Sequence, residues 1–387
     1  MTAAMATTAI LGARVLSPHG EPHPHGLLIE RGRIRRLLGA GERAAADRTV
    51  ELDGGWLLPG FIDTQVNGGG GVLFNDAPTV EGAAAIAAAH RRFGTTGLLP
   101  TLISDDLEVV DRAITAVDRA IAAGVPGVLG IHVEGPFLNP EKHGIHDPAK
   151  FRILDDDALA LLTRPGRGAR LLTLAPELAP PGAIRALTAA GVIVSAGHSM
   201  ASHAEARAAL DEGLAGFTHL FNAMTQLGSR EPGMVGAALD DGASMFGLIV
   251  DGHHVAPATL RIALAGRGLD RAMLVTDAMP PAGTDMTRFT LLEREITVGD
   301  GTLRALDGTL AGAALTMAGA VRNAIVMLGL DIGEASRLAS ANPARFLGLD
   351  REAGTIAPGM RADLAHLDKD LRVTRTWIAG EVSETGE

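Results

Sequence analysis

Short apolar runs and longer Ala/Leu-rich segments alternate through the middle of the chain. Eight apolar runs are bounded by turn residues and predict strands at 60–67, 96–103, 128–134, 171–177, 192–198, 216–222, 246–252 and 272–278. Segments of helical length fill most of the gaps, and Ser202 with Glu205 forms a capping-box pattern. Apolar strands that alternate with helices indicate a covered parallel sheet, and eight such units predict a (β/α)8 TIM-like barrel. A doubly wound open sheet is the alternative, but no G-x-G-x-x-G motif opens a helix.

The two ends of the chain show a different pattern, with short strands separated by turns such as Asp53-Gly54-Gly55. Neither end has enough strands to bury a face by itself. We therefore predict a small β-sandwich domain built from residues 1–57 and 354–387, beside a catalytic barrel over 58–353. A Pro/Gly turn in the first stretch, which carries His19, His23 and His25, is expected to be a solvated hairpin.

Composition narrows the class of protein. The 387 residues are 47% apolar and 20% charged, which excludes global disorder and allows a large core. The absence of cysteine excludes disulfides, thiolate metal sites and a cysteine nucleophile. A net charge of −11 is unlike a nucleic-acid-binding surface, so no nucleic-acid partner is expected. No apolar run is long enough to span a membrane and the N-terminus lacks a basic leader, so we expect a cytoplasmic enzyme without a membrane partner.

Polar side chains stand where the predicted strands end. Glu134 ends the third strand, and His198 and His219 end the fifth and sixth. In a barrel these strand ends meet at one mouth, where chemistry takes place. Two imidazoles and one carboxylate with an open coordination position are typical of a catalytic Zn²⁺ site. We therefore predict these three residues as metal ligands, and Asp277 at the end of the eighth strand as the general base.

Each of these side chains also has a purely structural interpretation. A polar residue at a loop entry can be satisfied locally, and Asp277 can pair with a helix N-terminus instead of acting as a base. His132, two residues before Glu134, is either a support for the metal ligands or a buried, hydrogen-bonded histidine. Convergence of several such residues on one barrel mouth favours the functional interpretation.

Motifs along nearly the whole chain add a family resemblance. They are LPGFIDTQVNGGGGVLFND (58–76), LPTLISD (99–105), GIHVEGPFLNP (130–140), LAPE (174–177), VIVSAGHS (192–199), THLFNAM (218–224), REPGMVGA (230–237), DGHHV (251–255), LVTDA (274–278), GTLAGAALTM (308–317) and NPAR (342–345). In these motifs the chain resembles the amidohydrolase superfamily and, within it, the N-acetylglucosamine-6-phosphate deacetylases. The resemblance implies hydrolysis of the acetamide of N-acetyl-D-glucosamine 6-phosphate to D-glucosamine 6-phosphate and acetate. It also implies one divalent metal per subunit on Glu134, His198 and His219; Zn²⁺ is expected, although Fe²⁺, Mn²⁺ and Co²⁺ can use the same ligands.

The resemblance further implies roles for individual residues. Asp277 is the catalytic acid/base that activates the attacking water and then protonates the departing amine. His146 contacts the substrate near its carbonyl and stabilises the developing oxyanion, although the residues alone suggest an exposed turn at this position. Substrate contacts fall on Ile145, His146, Asn222, Ala223, Arg230, His254, Leu310, Ala311 and Gly312. In related enzymes some of the phosphate contacts cross a dimer interface, so the resemblance implies a homodimer.

Two departures from the family pattern stand out. The first strand ends in Gln65-x-Asn67 where most of the superfamily has His-x-His, and amides bind Zn²⁺ poorly compared with imidazole. We therefore expect one tightly held metal, with a second site weak or absent. Ala311 and Ala313 stand where relatives often have Ser, which matters only if a hydroxyl contacts the substrate.

Three alternative functions remain at this point. The same chemistry on N-acetylgalactosamine 6-phosphate differs by one epimeric hydroxyl, which the sequence does not resolve. A cyclic-amide hydrolase or deaminase usually keeps His-x-His and often a carboxylated Lys, and LLTLAPE (171–177) contains no Lys. A non-catalytic amidohydrolase-like barrel typically loses metal ligands or the catalytic Asp. This chain keeps Glu134, His198, His219 and Asp277.

Overall fold

The computed structural model describes residues 7–17, 22–23, 26–39 and 41–384. His19 and His25 lie outside these residues, and of His23 only the backbone is described. The strands of the described residues are, in chain order, β1 (Thr7–Leu11), β2 (Arg14–Leu16), β3 (Pro22–His23), β4 (Gly26–Glu30), β5 (Arg33–Leu37), β6 (Arg48–Glu51), β7 (Trp56–Pro59), β8 (Phe61–Val66), β9 (Gly68–Gly69), β10 (Val72–Leu73), β11 (Thr95–Ile103), β12 (Gly130–Glu134), β13 (Ala169–Leu174), β14 (Ile193–Ala196), β15 (Gly216–Phe217), β16 (Met245–Leu248), β17 (Ala272–Leu274), β18 (Arg288–Leu291), β19 (Arg294–Gly299), β20 (Thr302–Ala305), β21 (Leu364–Leu367), β22 (Val373–Ile378) and β23 (Glu381–Glu384).

Helices lie in most of the gaps between the central strands, as predicted. They are α1 (Val80–Arg91), α2 (Leu107–Ala122), α3 (Asp156–Thr163), α4 (Ala183–Ala189), α5 (His203–Asp211), α6 (Gly233–Asp240), α7 (Pro257–Arg267), α8 (Met317–Leu328), α9 (Ile332–Ser336) and α10 (Asn342–Phe346). The predicted capping box is confirmed, because the Ser202 side chain accepts from the backbone of Glu205 and the Glu205 side chain accepts from the backbone of Ser202. Within the described ranges, none of the helices is both long and apolar enough to cross a membrane.

Eight parallel strands form the central sheet in the order β8-β11-β12-β13-β14-β15-β16-β17. Each predicted run overlaps one of these strands, and the predicted barrel is confirmed. The sheet closes on itself near its carboxyl edge, where Val66 forms a parallel bridge with Ala278 and the Asp277 N–H donates to the Gln65 carbonyl at 3.0 Å. Several strands end before the predicted runs do, because the polar residues at the ends of those runs leave the sheet and turn inward.

Two further sheets come from the ends of the chain. The six-stranded sheet β23-β22-β21-β7-β2-β3 combines strands from both termini, and the four-stranded sheet β5-β4-β1-β6 comes from the N-terminal stretch. Apolar residues from both ends, including Ile10, Leu27, Leu364 and Trp377, share one core. This agrees with the predicted small β-sandwich, whereas the exact domain bounds stay a prediction.

A three-stranded antiparallel sheet, β18–β20, lies between the eighth barrel strand and α8, where no strand was predicted. Its apolar side chains, Phe289, Leu291 and Ile296 among them, pack in one cluster with Ile145 and Ala311. Ile145 lies in the loop after β12, so the added sheet packs beside the carboxyl end of the barrel. The added sheet therefore borders the mouth of the barrel.

Candidate active site

The predicted ligand and base residues stand at the carboxyl ends of four barrel strands. Glu134 is the last residue of β12, while His198, His219 and Asp277 follow β14, β15 and β17 by two or three residues. These last three have φ values of 49°, 33° and 50°, in the left-handed region that non-glycine residues rarely adopt. Such backbone strain is typical of functional sites. The three predicted ligands are buried, and Asp277 is half-buried at the cavity they share.

The three predicted ligand atoms converge on one point. Glu134 Oε1 lies 3.1 Å from His219 Nε2 and 3.3 Å from His198 Nε2, and the two Nε2 atoms are 3.0 Å apart. The His198 Nδ1–H donates to the Lys142 carbonyl at 2.8 Å, which leaves the Nε2 lone pair directed at this point. Two imidazoles and a carboxylate so arranged fit a divalent metal ion. The donor set leaves the identity of the ion open.

Burial and charge work against each other at this cluster. Burial alone would raise the pKa of Glu134, but its close contacts with the imidazoles of His198 and His219 hold it well below its usual range. Burial disfavours a charged His219, yet the hydrogen bond and the charge of Glu134 outweigh burial and raise the pKa of that imidazole. The cluster thus favours an anionic carboxylate that attracts positive charge, and a metal cation can take the place of a proton there.

Asp277 is held by the two amides of the first strand. Asn67 Nδ2 donates to Asp277 Oδ1 at 2.6 Å, and Gln65 Nε2 lies 3.3 Å from the same oxygen and 3.2 Å from each oxygen of Glu134. Burial, together with the negative charge of Glu134, raises the pKa of Asp277 to about 6. Both amides therefore act as donors to Asp277, and the Gln65 amide also separates this carboxylate from that of Glu134. An amide nitrogen that donates in this way does not bind a cation. A single tight metal site stays an expectation from the sequence.

These residues line one cavity of about 350 Å³ at the barrel mouth. The structure brings most of the predicted site residues to this cavity: Glu134, Ile145, His146, His198, His219, Asn222, Ala223, His254, Asp277, Leu310 and Gly312. Two predicted substrate contacts are not among its lining residues. Ala311 is fully buried behind the wall, and Arg230 is exposed on the loop that precedes α6.

His146 corrects the expectation of an exposed turn. Its side chain is buried, and its ring centroid lies 4.5 Å from that of His198. Burial, reinforced by the neighbouring His198, lowers the pKa of His146 to about 3, so the ring is neutral at pH 7. The loop that carries it has no regular hydrophobic pattern, so only the tertiary packing reveals its burial.

The segment after β20 contacts the base through its backbone. The Ala313 N–H donates to the Asp277 carbonyl at 2.9 Å, and Ala311 N–H donates to the Leu303 carbonyl at 3.0 Å. Gly312 has a φ of +63°, and a Cβ there would lie 2.7 Å from the same Asp277 oxygen. Because these contacts use main-chain atoms, alanine in place of serine at 311 or 313 does not remove them.

Lys142 and Asp251 support the site, and neither was predicted from the sequence. Lys142 lines the cavity and receives the His198 hydrogen bond, and its position in the NPEKHG stretch beside His146 was the available signal. Asp251 accepts from His254 Nδ1 at 2.6 Å and so orients that ring. His132 is hydrogen-bonded to the Thr173 hydroxyl at 2.8 Å, and burial lowers its pKa to about 4, which matches its interpretation as a buried histidine.

Comparison with known proteins gives the same family throughout. The amidohydrolase family model matches residues 56–383. An N-acetylgalactosamine-6-phosphate deacetylase of Shewanella sp. (strain ANA-3) is 47% identical over 331 residues, 86% of this chain and 84% of the relative. The crystal structure of the N-acetylglucosamine-6-phosphate deacetylase of Pasteurella multocida is 32% identical, with a TM-score of 0.94 over 98% of this chain and all of that one. A point mutant of the N-acetyl-D-glucosamine-6-phosphate deacetylase of Mycobacterium smegmatis, in complex with N-acetyl-D-glucosamine-6-phosphate, is 35% identical, with a TM-score of 0.87 over 98% of this chain and 99% of that one. The chain therefore belongs to the amidohydrolase family and, within it, to the group of amino-sugar phosphate deacetylases that these relatives represent.

Proposed function

We propose that this protein hydrolyses the acetamide of N-acetyl-D-glucosamine 6-phosphate to D-glucosamine 6-phosphate and acetate. The observation that carries the proposal is the buried Glu134–His198–His219 cluster, with Asp277 hydrogen-bonded beside it, inside one cavity. The family of the chain, and the substrate found with the Mycobacterium smegmatis relative, support the choice of substrate. Amide hydrolysis needs a Lewis acid that polarises the carbonyl, a base for the attacking water and an acid for the departing amine. The cavity offers a metal site for the first role and Asp277 for the other two.

Glu134, His198 and His219 would hold the metal ion, with Zn²⁺ as the proposed ion. A divalent cation bound there acts as a Lewis acid and lowers the pKa of water. Asp277 takes a proton from the attacking water as the water oxygen adds to the amide carbon. It then returns that proton to the departing nitrogen as the C–N bond breaks, so that amine and acetate leave.

His146 lines the same cavity as the base and is neutral. A neutral imidazole offers one N–H, which we assign to the carbonyl oxygen of the acetamide, where negative charge develops. Ile145, Leu310 and Gly312 line the wall and would contact the sugar. These residues would position a substrate that the cavity is large enough to bury.

The phosphate end is assigned to Asn222, Ala223 and His254, which line the cavity, and to Arg230. Arg230 is exposed and outside the cavity of its own chain, so its proposed contact comes from a second copy in a homodimer. Arg230→Ala should raise KM for phosphorylated substrate and leave unphosphorylated sugar unaffected. Activity restored by mixing Arg230→Ala with an Asp277→Asn variant would support sharing across the interface; equal effects on both sugars would remove Arg230 from the phosphate site.

A second candidate is the same reaction on N-acetylgalactosamine 6-phosphate. The specific observation in its favour is the Shewanella relative, which is 47% identical and carries that name. The two sugars differ only at one hydroxyl, and the reacting acetamide and the phosphate are the same. The three metal ligands and the base can act on either substrate. The preference between the two sugars therefore depends on the cavity residues that contact the sugar ring.

The test is acetate release by metal-loaded protein from both 6-phosphates and from unphosphorylated N-acetylglucosamine. Release that requires the 6-phosphate of the gluco epimer supports the proposal, and release from the galacto epimer alone supports the second candidate. Metal analysis of the protein as purified, before any metal is added, separates an enzyme from a non-catalytic barrel, which should bind no stoichiometric metal. The same analysis identifies the ion, while a cytoplasmic location stays a prediction from the sequence.

A further inference from the structure

Ser104 follows β11 directly, in the LPTLISD motif, and the reaction as described above does not use it. The residue is buried, and two of its groups face the same atom of His146. Its backbone N–H donates to His146 Nδ1 at 3.3 Å, and its hydroxyl oxygen lies 2.8 Å from that nitrogen. The contact joins the second barrel strand to the loop that carries His146.

The backbone N–H decides which nitrogen of His146 carries the proton. A main-chain N–H is a donor only, so the atom it faces must present a lone pair. Nδ1 is therefore unprotonated, and the single N–H of the neutral ring lies on Nε2. An imidazolium would place an N–H at Nδ1 against the main-chain N–H, so the same geometry disfavours the charged ring.

The hydroxyl of Ser104 has room at this position because of the residue after Glu134. Gly135 has a φ of +85°, and a Cβ there would lie 2.2 Å from Ser104 Oγ. The other acceptor near the hydroxyl is the Glu134 carbonyl, at the longer distance of 3.5 Å. The shorter distance favours donation from the hydroxyl to Nδ1, which strengthens Nε2–H as a donor because linked hydrogen bonds polarise one another.

We propose that Ser104 is a positioning residue that holds His146 with its proton on Nε2, so that this N–H serves the carbonyl oxygen of the substrate. The assignment of the substrate rests on the proposed function, whereas the tautomer follows from the contacts of Ser104 alone. Since the oxyanion forms only in the transition state, Ser104 should affect turnover more than substrate binding.

The tautomer is tested without any reaction. Protein labelled with ¹⁵N-histidine and loaded with Zn²⁺ gives two ring-nitrogen signals for each of its 13 histidines, and comparison with His146→Gln identifies the pair from His146. A protonated Nε2 and an unprotonated Nδ1 are expected. A proton on Nδ1 would overturn the proposal, whatever the substrate turns out to be.

Kinetics test the consequence. Ser104→Ala should lower kcat about fivefold and leave KM within about twofold, because one hydrogen bond of ordinary strength is lost. Ser195→Ala is the matched control, since this buried serine accepts from Thr218 inside the barrel and does not contact His146. A rise in KM equal to the fall in kcat, or the same loss in Ser195→Ala, would show a merely structural role. If wild-type protein releases no acetate at all, the proposed function fails while the nitrogen signals still decide the tautomer.

Discussion

The hydrogen bond from Asn67 to Asp277 allows a quantitative prediction. Asp277 is partly withdrawn from water beside Glu134, and both effects favour its protonated form, which raises its pKa to about 6. The Asn67 amide opposes them with a donor 2.6 Å from Oδ1. Asn67→Leu keeps a side chain of similar size but removes that donor, so the pKa of Asp277 should rise further.

The size of the rise follows from the strength of the bond. A hydrogen bond to a charged acceptor contributes about 1.5–3 kcal/mol, and one pKa unit corresponds to about 1.4 kcal/mol. The pKa of Asp277 should therefore rise by about one to two units. A cation bound at the cluster lowers the pKa of Asp277 in the wild type and in the variant alike. The difference between their two pKa values still depends on the lost hydrogen bond from Asn67.

The direction of the change in activity depends on which protonation state of Asp277 is active. A base acts as the carboxylate, so activity falls as pH falls through the pKa of Asp277. A raised pKa moves this acidic limb of the kcat/KM profile upward by the same one to two units. On the limb the variant should lose about 10- to 100-fold in rate, whereas well above both pKa values the loss should be small.

The assay is acetate release from pH 5 to 9 with metal-saturated protein. Asn75→Leu serves as the control, because this half-buried amide donates to Ile103 and Asp105 rather than to Asp277. An acidic limb that stays in place, or a loss of equal size at every pH, would refute the reasoning.

Three further changes test other parts of the structure. Asp277→Asn should keep one equivalent of metal and lower kcat by about 10²- to 10⁴-fold, because an amide cannot take up the proton of water; metal analysis and acetate release measure the two effects. Glu134→Gln should weaken metal affinity more than about tenfold, because it removes the one anionic ligand, as measured by competition with a chelator. Asp63→Asn should flatten the dependence of stability on pH. Burial raises the pKa of Asp63 to about 7 from an ordinary 3.8, so the wild-type free energy of unfolding should fall as pH rises from about 4 to 7, by at most about 1.4 kcal/mol per pH unit, in urea titrations.

Each of these predictions has an outcome that contradicts it. Near-wild-type turnover by Asp277→Asn would remove Asp277 as the base. Full metal affinity in Glu134→Gln would place the ion elsewhere. If Asp63→Asn keeps the wild-type slope of stability against pH, the hydrogen bonds from Thr276 outweigh burial and Asp63 is ionised in the folded protein.

The sequence alone determined the barrel and the strand ends that carry its polar groups. Eight apolar runs separated by helical segments favour a barrel over an open doubly wound sheet, because parallel strands need covering helices and short connections and no G-x-G-x-x-G motif opens a helix. Once the barrel is accepted, Glu134, His198, His219 and Asp277 stand at the same edge, since all parallel strands present their carboxyl ends there. Neither their distances nor the inward turn of three of them followed from the pattern.

The β18–β20 sheet shows where the pattern was present but was not assigned. Its alternating apolar positions, such as Phe289 and Leu291, are typical of a strand that is buried on one face. With eight barrel units already placed, this stretch had no predicted element, and its packing against the mouth depends on residues far away in the chain.

Only the tertiary structure decided how the site is supported. The burial of His146, the proton position set by Ser104 and the placing of the Gln65 amide between two carboxylates all depend on contacts between different strands and loops. Local sequence periodicity predicts which face of a helix or strand is buried. It does not predict which side chain from a distant element will contact that face, because this contact depends on how the elements close around the barrel.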